Sequence, residues 1–119
     1  MMSLKTGTKA ELWARDYLLR QGLRWISSNY RCRWGEIDLI MEEQNCLVFV
    51  EVRSRQSRAF GGAIASITSV KQHKLAKAAA HYLQTTKKYN AQPVRFDVVG
   101  FEEKGQHVEW IKNAFEVAF

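Results

Sequence analysis

Glu51 stands where a carboxylate is expensive. It follows Leu47, Val48, Phe49 and Val50 in a run that otherwise reads as a buried strand, and an unpaired buried carboxylate is not carried there without a partner or a cation. Asp38, between Ile37 and Leu39, poses the same problem. With a turn at Glu43 to Asn45, the two strands form an antiparallel hairpin that brings Asp38 and Glu51 roughly opposite each other. Two carboxylates that close repel unless one is protonated or a cation sits between them. Mg²⁺ or Mn²⁺ is held in this way, by one or two carboxylates, waters and substrate oxygens, and can polarise a phosphodiester. The structural alternative pairs Asp38 with Arg53 or Arg95, and Glu51 with Lys71, as salt bridges inside the sheet.

The charge around this pair is one-signed. From Val52 to Phe96 the chain has no Asp or Glu but nine cations: Arg53, Arg55, Arg58, Lys71, Lys74, Lys77, Lys87, Lys88 and Arg95. Phosphate is the natural counterpart of such a stretch, with a solvated basic face as the alternative. The formal net charge of +6 agrees but says less, because bulk charge speaks to solubility and non-specific partners.

The elements that must position these residues read in order. Thr8 and Glu11 have the spacing of a capping box, and Gly22 sits where a first helix ends, with Ala10, Trp13, Ala14, Tyr17 and Leu18 as its apolar stripe. Leu23–Tyr30 reads as a first strand. Gly35–Met41 reads as a second, with Ile37, Leu39 and Met41 on one face and Glu36, Asp38 and Ile40 on the other. Cys46–Arg53 is apolar enough to be a central strand covered on both sides. After a loop carrying Gly61 and Gly62, a second helix runs from an N-cap at Thr68 or Ser69 to about Lys88, with Leu75, Ala78, Ala79, Tyr82 and Leu83 buried and Lys74, Lys77, His81, Gln84 and Lys88 along another face. Val94–Phe101 and Gln106–Ile111 are the last strands. The expectation is an α/β fold in one domain over residues 1–119, a mixed sheet of about five strands flanked by helices.

Composition is ordinary for a globular domain, 46% apolar and 25% charged. No apolar run reaches the roughly 20 residues of a membrane span, and no basic-then-apolar leader is seen at the N-terminus, so a cytoplasmic protein without a membrane partner is expected. Cys32 and Cys46 are too few and too oddly spaced for a zinc site or a disulfide framework and read as buried free thiols. The three histidines lack ligand spacing.

The segment Gly35-Glu36-Ile37-Asp38-Leu39-Ile40, followed by Phe49-Val50-Glu51-Val52-Arg53, resembles the Asp…Glu-x-Lys signature of the restriction-endonuclease-like superfamily. From the helix bearing Glu11 to the strand Arg95-Phe96-Asp97-Val98-Val99, about residues 7 to 101, the chain is similar to the YraN family, a bacterial group related to archaeal Holliday-junction resolvases. The resemblance implies a restriction-endonuclease-like core and a metal-dependent endonuclease acting on DNA, including branched or repair intermediates. It also implies metal ligation by Asp38, Glu51 and the Val52 carbonyl, with Glu11 reaching the site from the first helix. A capping-box role explains Glu11 equally well. Glu36 either extends the acidic cluster or faces Arg33 or Lys71. A homodimer is compatible by analogy with the resolvases.

One departure matters. The superfamily lysine falls at Arg53, and arginine keeps its proton, so it can clamp a phosphate but cannot act as a base. Lys71, which opens the second helix, is the natural substitute for the catalytic lysine. The expected nucleic-acid contacts are Arg31, Arg33, Trp34, Arg55, Arg58, Lys74 and Lys77, with Trp34 as the candidate for stacking on a base. Two rival functions remain: a DNA-binding module whose active site has decayed, and an RNA-directed protein of the same fold.

Overall fold

A computed structural model of the chain describes residues 6–55, 67–87, 92–102 and 107–116, with no side-chain description at residues 6–8 and 55. The elements are α1 (Thr6–Arg20), β1 (Arg24–Cys32), β2 (Gly35–Glu43), β3 (Cys46–Arg55), α2 (Ser69–Thr85), β4 (Val94–Glu102) and β5 (Val108–Phe115). The five strands form one mixed sheet in sequential order β1-β2-β3-β4-β5. Every neighbouring pair is antiparallel except β3 and β4, which are parallel. Parallel neighbours need a long crossover, and the connection containing α2 supplies it. This is the α/β order that the strand and helix periodicities predict.

Each helix covers one face. Ala10, Ala14 and Leu18, four residues apart on α1, pack on Leu39, Met41, Val48, Val50 and Val99. Leu75, Ala78, Ala79, Tyr82 and Leu83 of α2 pack on Ile37, Ile40, Leu47, Phe49, Phe96 and Val98 on the other face. Strand β3 is therefore central and covered on both sides, as its continuous apolar run requires.

The ends of the helices follow local chemistry. Gly22 takes φ +99°, where glycine carries no steric penalty. Its N–H bonds the Leu19 carbonyl, while the Leu23 N–H bonds that of Leu18. That is the Schellman pattern, and it brings Leu23 and Leu18 into the same cluster. At the start of α2 the Thr68 hydroxyl accepts the Lys71 N–H at 3.2 Å.

Several expectations need correction. The alternation predicted for β2 breaks at Asp38: Ile37 and Ile40 share the α2 face, while Leu39 and Met41 share the α1 face. Trp13 is not part of the buried stripe of α1. It is 52% exposed, its ring centroid 5.6 Å from that of Phe101. Strand β5 begins later and runs further than Gln106–Ile111, and α2 stops at Thr85, where the Thr86 N–H closes on Tyr82 and Lys87 turns to φ +59°. Thr8 does not cap α1, because the helix already begins at Thr6 and Thr8 lies within it, so the capping box expected of Thr8 and Glu11 is not formed. Gly61 and Gly62, Arg58 and Lys88 lie outside the described residues. Cys32 and Cys46 are free thiols, half-buried rather than fully buried, and belong to opposite faces. No described helix is long and apolar enough to cross a membrane.

Candidate functional site

Asp38 and Glu51 meet where the β2–β3 ladder stops. Its last pair is Leu39 with Val50, so one further step of the register sets Asp38 against Glu51. The backbone pairing does not continue. Instead Asp38 Oδ2 accepts the Val52 N–H at 2.8 Å. A side chain has taken the place of a ladder bond, and the same residue carries the break in alternation. Because N–H and C=O of a strand residue leave on the same side, the Val52 carbonyl opens toward this gap.

Glu51 is 4% exposed. Its Oε2 lies 3.0 Å from Arg53 Nη2 and 3.7 Å from Lys71 Nζ. Its Oε1 is buried and meets no N–H donor among the described residues, and a hydrogen bond between Glu51 and Asp38 forms only while one of the two carboxyls keeps its proton. From the α1 side Glu11 reaches Asp38, and the carboxylate oxygens of Glu11, Glu36 and Asp38 lie within 4.8 Å of one another. Four carboxyls on three elements thus converge at one end of the β2–β3 hairpin, with a lysine from α2 and an arginine from β3 beside them.

Such a cluster cannot be fully ionised by itself. Burial, and then the Asp38 charge, push Glu51 up to about 8, against the opposing pull of Lys71 and Arg53. Burial and Asp38 likewise push Glu11 up to about 7. Burial also raises Asp38, although the Val52 N–H favours its charged form. All the donors are hard oxygens, one buried oxygen is orphaned, and the charge is in excess. The donor set fits a small divalent cation, but the oxygens already within 4.8 Å of one another are those of Glu11, Glu36 and Asp38. Glu51 adjoins this group through Asp38 and would have to move toward it to share the ion with the Val52 carbonyl.

The salt-bridge alternative holds for Glu51, which pairs with Lys71 and Arg53, but not for Asp38. Arg95 is committed elsewhere: its Nε and Nη2 bond Asp97, and its Nη2 also reaches Glu43 Oε1 at 2.7 Å. Glu36 pairs with Arg31 rather than with Arg33 or Lys71.

The basic candidates divide. Arg31 is held by Glu36 and Lys71 by Glu51. Arg33, Lys74 and Lys77 are exposed and pair with no carboxylate among the described residues. Arg33 and Lys77 lie over the ring of Trp34, at 4.5 and 4.8 Å from its centroid. The side chains of Arg55 and Arg58 are outside the description.

One contributor is missed by the sequence reading. Asn29, in the middle of β1 with φ +56°, makes a side-chain hydrogen bond that favours ionised Glu11. Its signal was a residue type at home in the left-handed region, set inside an otherwise regular strand. His81 is also occupied, its Nδ1 2.5 Å from the Tyr30 hydroxyl.

Comparison with known proteins gives one consistent result. The uncharacterised protein family UPF0102 matches residues 10–101. A UPF0102 protein of Saccharophagus degradans is 53% identical over 111 residues, 93% of this chain and 92% of the relative. One from Legionella pneumophila is 47% identical over 97% of this chain and 98% of its own length. Another from Nitrosococcus oceani is 52% identical over 93% and 91%.

Proposed function

We propose that this chain, which belongs to the uncharacterised protein family UPF0102, is a divalent-metal-dependent endonuclease that hydrolyses phosphodiester bonds in DNA. The observation that carries the reading is the orphaned Oε1 of Glu51, buried against Asp38 at the end of a ladder that has opened to make room. A purely structural ion pair would not leave Glu51 beside Asp38, which is itself crowded by Glu11 and Glu36. Bound there, Mg²⁺ or Mn²⁺ would polarise a phosphodiester and offset its charge.

The protein's own groups have distinct parts. Asp38, Glu51 and the Val52 carbonyl would hold the cation, and Glu11, hydrogen-bonded by Asn29, would reach it from α1. Lys71 sits where a proton can be passed or a developing charge neutralised, on the face of α2 turned toward the sheet. Arg53 pairs with Glu51 and would hold a phosphate oxygen in place. The basic face of α2 supplies attraction for the rest of the strand. Branched and repair intermediates are the substrates the resolvase resemblance favours.

The test is cleavage of linear, nicked and four-way-junction DNA, with an RNA strand alongside, across a Mg²⁺ and Mn²⁺ titration. Asp38→Asn and Glu51→Gln keep size and polarity, and each is expected to lower metal-dependent cleavage by at least about 100-fold while DNA binding stays equal or tightens. Lys71→Ala should lose far more activity than Arg53→Ala, and Arg53→Lys should preserve or raise it. A second reading has one observation in its favour: Arg53 stands at the lysine position and is tied to Glu51 at 3.0 Å, as in a decayed site kept for binding. Wild-type protein that cuts nothing in either metal, with Glu51→Gln binding DNA like wild type, selects that reading.

A further inference from the structure

Two like charges share one aromatic ring with no counter-ion among the described residues. Arg33 and Lys77 come from elements far apart in sequence, the β1–β2 turn and the middle of α2, yet both cations lie over Trp34 at 4.5 and 4.8 Å from its centroid. Elsewhere cations that converge have carboxylates between them: Arg95 and Lys112 share Glu43, and Arg53 and Lys71 share Glu51. The Trp34 pair has none among the described residues. Cation–π attraction offsets part of their repulsion and fixes where they stand, but leaves their charge free for a ligand.

We propose that Arg33, Trp34 and Lys77 form a phosphate clamp that grips the backbone of the substrate strand away from the acidic centre. The inference rests on the nuclease reading and adds which part of the substrate is bound and how. Lys77 is six residues beyond Lys71 on α2, about 9 Å along the axis, and Trp34 is four residues before Asp38, at most about 13 Å along the strand. That separation lets the clamp meet phosphates a few nucleotides from the acidic centre, since each strand presents one charge per ~3.4 Å of helix axis. The contact is to phosphates, so it positions the substrate without reading sequence. Trp34 acts as a scaffold for the cations, not as a platform for a base, because they occupy the ring surface on which a base would stack.

The test is binding without chemistry: fluorescence anisotropy of a labelled DNA duplex in EDTA, over a range of salt. Changing Arg33 and Lys77 together to alanine should reduce the magnitude of the slope of log affinity against log salt by about 2 and weaken binding roughly 10–100-fold at about 0.1 M salt. Trp34→Ala should flatten the slope by a smaller amount, and Trp34→Phe, which keeps a ring, should restore most of it. A matched double variant, Lys9→Ala with Arg20→Ala, removes the same charge from the exposed side of α1 and should leave the slope near wild type. The clamp is overturned if the matched control falls as far as the Arg33 and Lys77 pair, or if that pair keeps the wild-type slope. It is also overturned if Trp34→Ala weakens binding with the slope unchanged, the mark of base stacking. Those outcomes leave the nuclease reading standing wherever wild-type protein cleaves in metal. Duplex unbound by wild type removes both.

Discussion

Asp38 does three things at once: it ends the β2–β3 ladder, caps the Val52 N–H and crowds Glu51 and Glu11. The last of these has a consequence for stability. Glu51 and Glu11 ordinarily titrate at 4.5, and the fold raises them to about 8 and about 7. Between those limits the native chain holds protons that the unfolded chain has released. Stability without metal therefore falls as pH rises from about 4.5 and levels off above about 8. Melting in EDTA should accordingly occur at lower temperature at about pH 8.5 than at about pH 5.5, by on the order of 5 °C, since ~1 kcal/mol moves a domain of this size by about 3–6 °C. Mg²⁺ should recover the loss at the higher pH, and Glu51→Gln should flatten the profile. A Tm independent of pH in EDTA, or indifferent to Mg²⁺ at pH 8.5, argues that the carboxyls are not in conflict. That Glu51 needs an explanation is plain from the sequence, because a Glu after four apolar residues is costly to bury unpaired; that Glu11 shares the conflict is not.

At the scale of elements, the second buried carboxylate shows what a satisfied one looks like. Asp97 on β4 is 1% exposed. It accepts Arg95 Nε and Nη2 at 2.9 and 3.0 Å, Trp110 Nε1 at 3.0 Å and the Asn113 N–H at 2.9 Å. Two of these donors come from β5, and Asn113 takes φ +51° to deliver its N–H. Asp97 is thus a rivet between β4 and β5 and has no spare oxygen for a cation. Asp97→Ala leaves Arg95 with Glu43 alone and strands the two β5 donors, and should cost about 3–5 kcal/mol in urea unfolding. A loss below about 1 kcal/mol means that β5 is held by its ladder alone. Glu51 and Asp97 look alike in sequence, each a carboxylate in an apolar strand. Only the partners distinguish them, and those of Asp97 lie up to 16 residues away across a strand pairing.

At the scale of the whole molecule, charge is sorted by place. Arg24, Arg31 and Arg95 are matched to Glu42, Glu36 and Asp97, while Arg33, Lys74 and Lys77 remain unmatched among the described residues. If about four to six cations neutralise phosphates, log affinity for duplex DNA should fall against log salt with a slope of roughly −4 to −5, and Lys74→Ala should remove about 1 from it. Affinity that does not change with salt makes the basic segment a solvated face. The sequence by itself determined the element order, the central place of β3, the faces of both helices and the pair Asp38 and Glu51, because hydrophobic periodicity and the cost of burying charge are local quantities. It could not determine that β2 changes face at Asp38, since a strand's alternation is broken by what its neighbour offers, here the Val52 N–H. Nor could it choose between cap and ligand for Glu11, or find Asn29 beside it. Those depend on α1 crossing the sheet at one angle and not another. Tertiary structure likewise decided that Lys71, twenty residues from Glu51 in the chain, stands 3.7 Å from it, and that Arg33 and Lys77 share one ring. Residues that far apart in sequence come together only because α2, on its way from β3 to β4, must lie back across the sheet to bury Leu75, Ala78 and Tyr82.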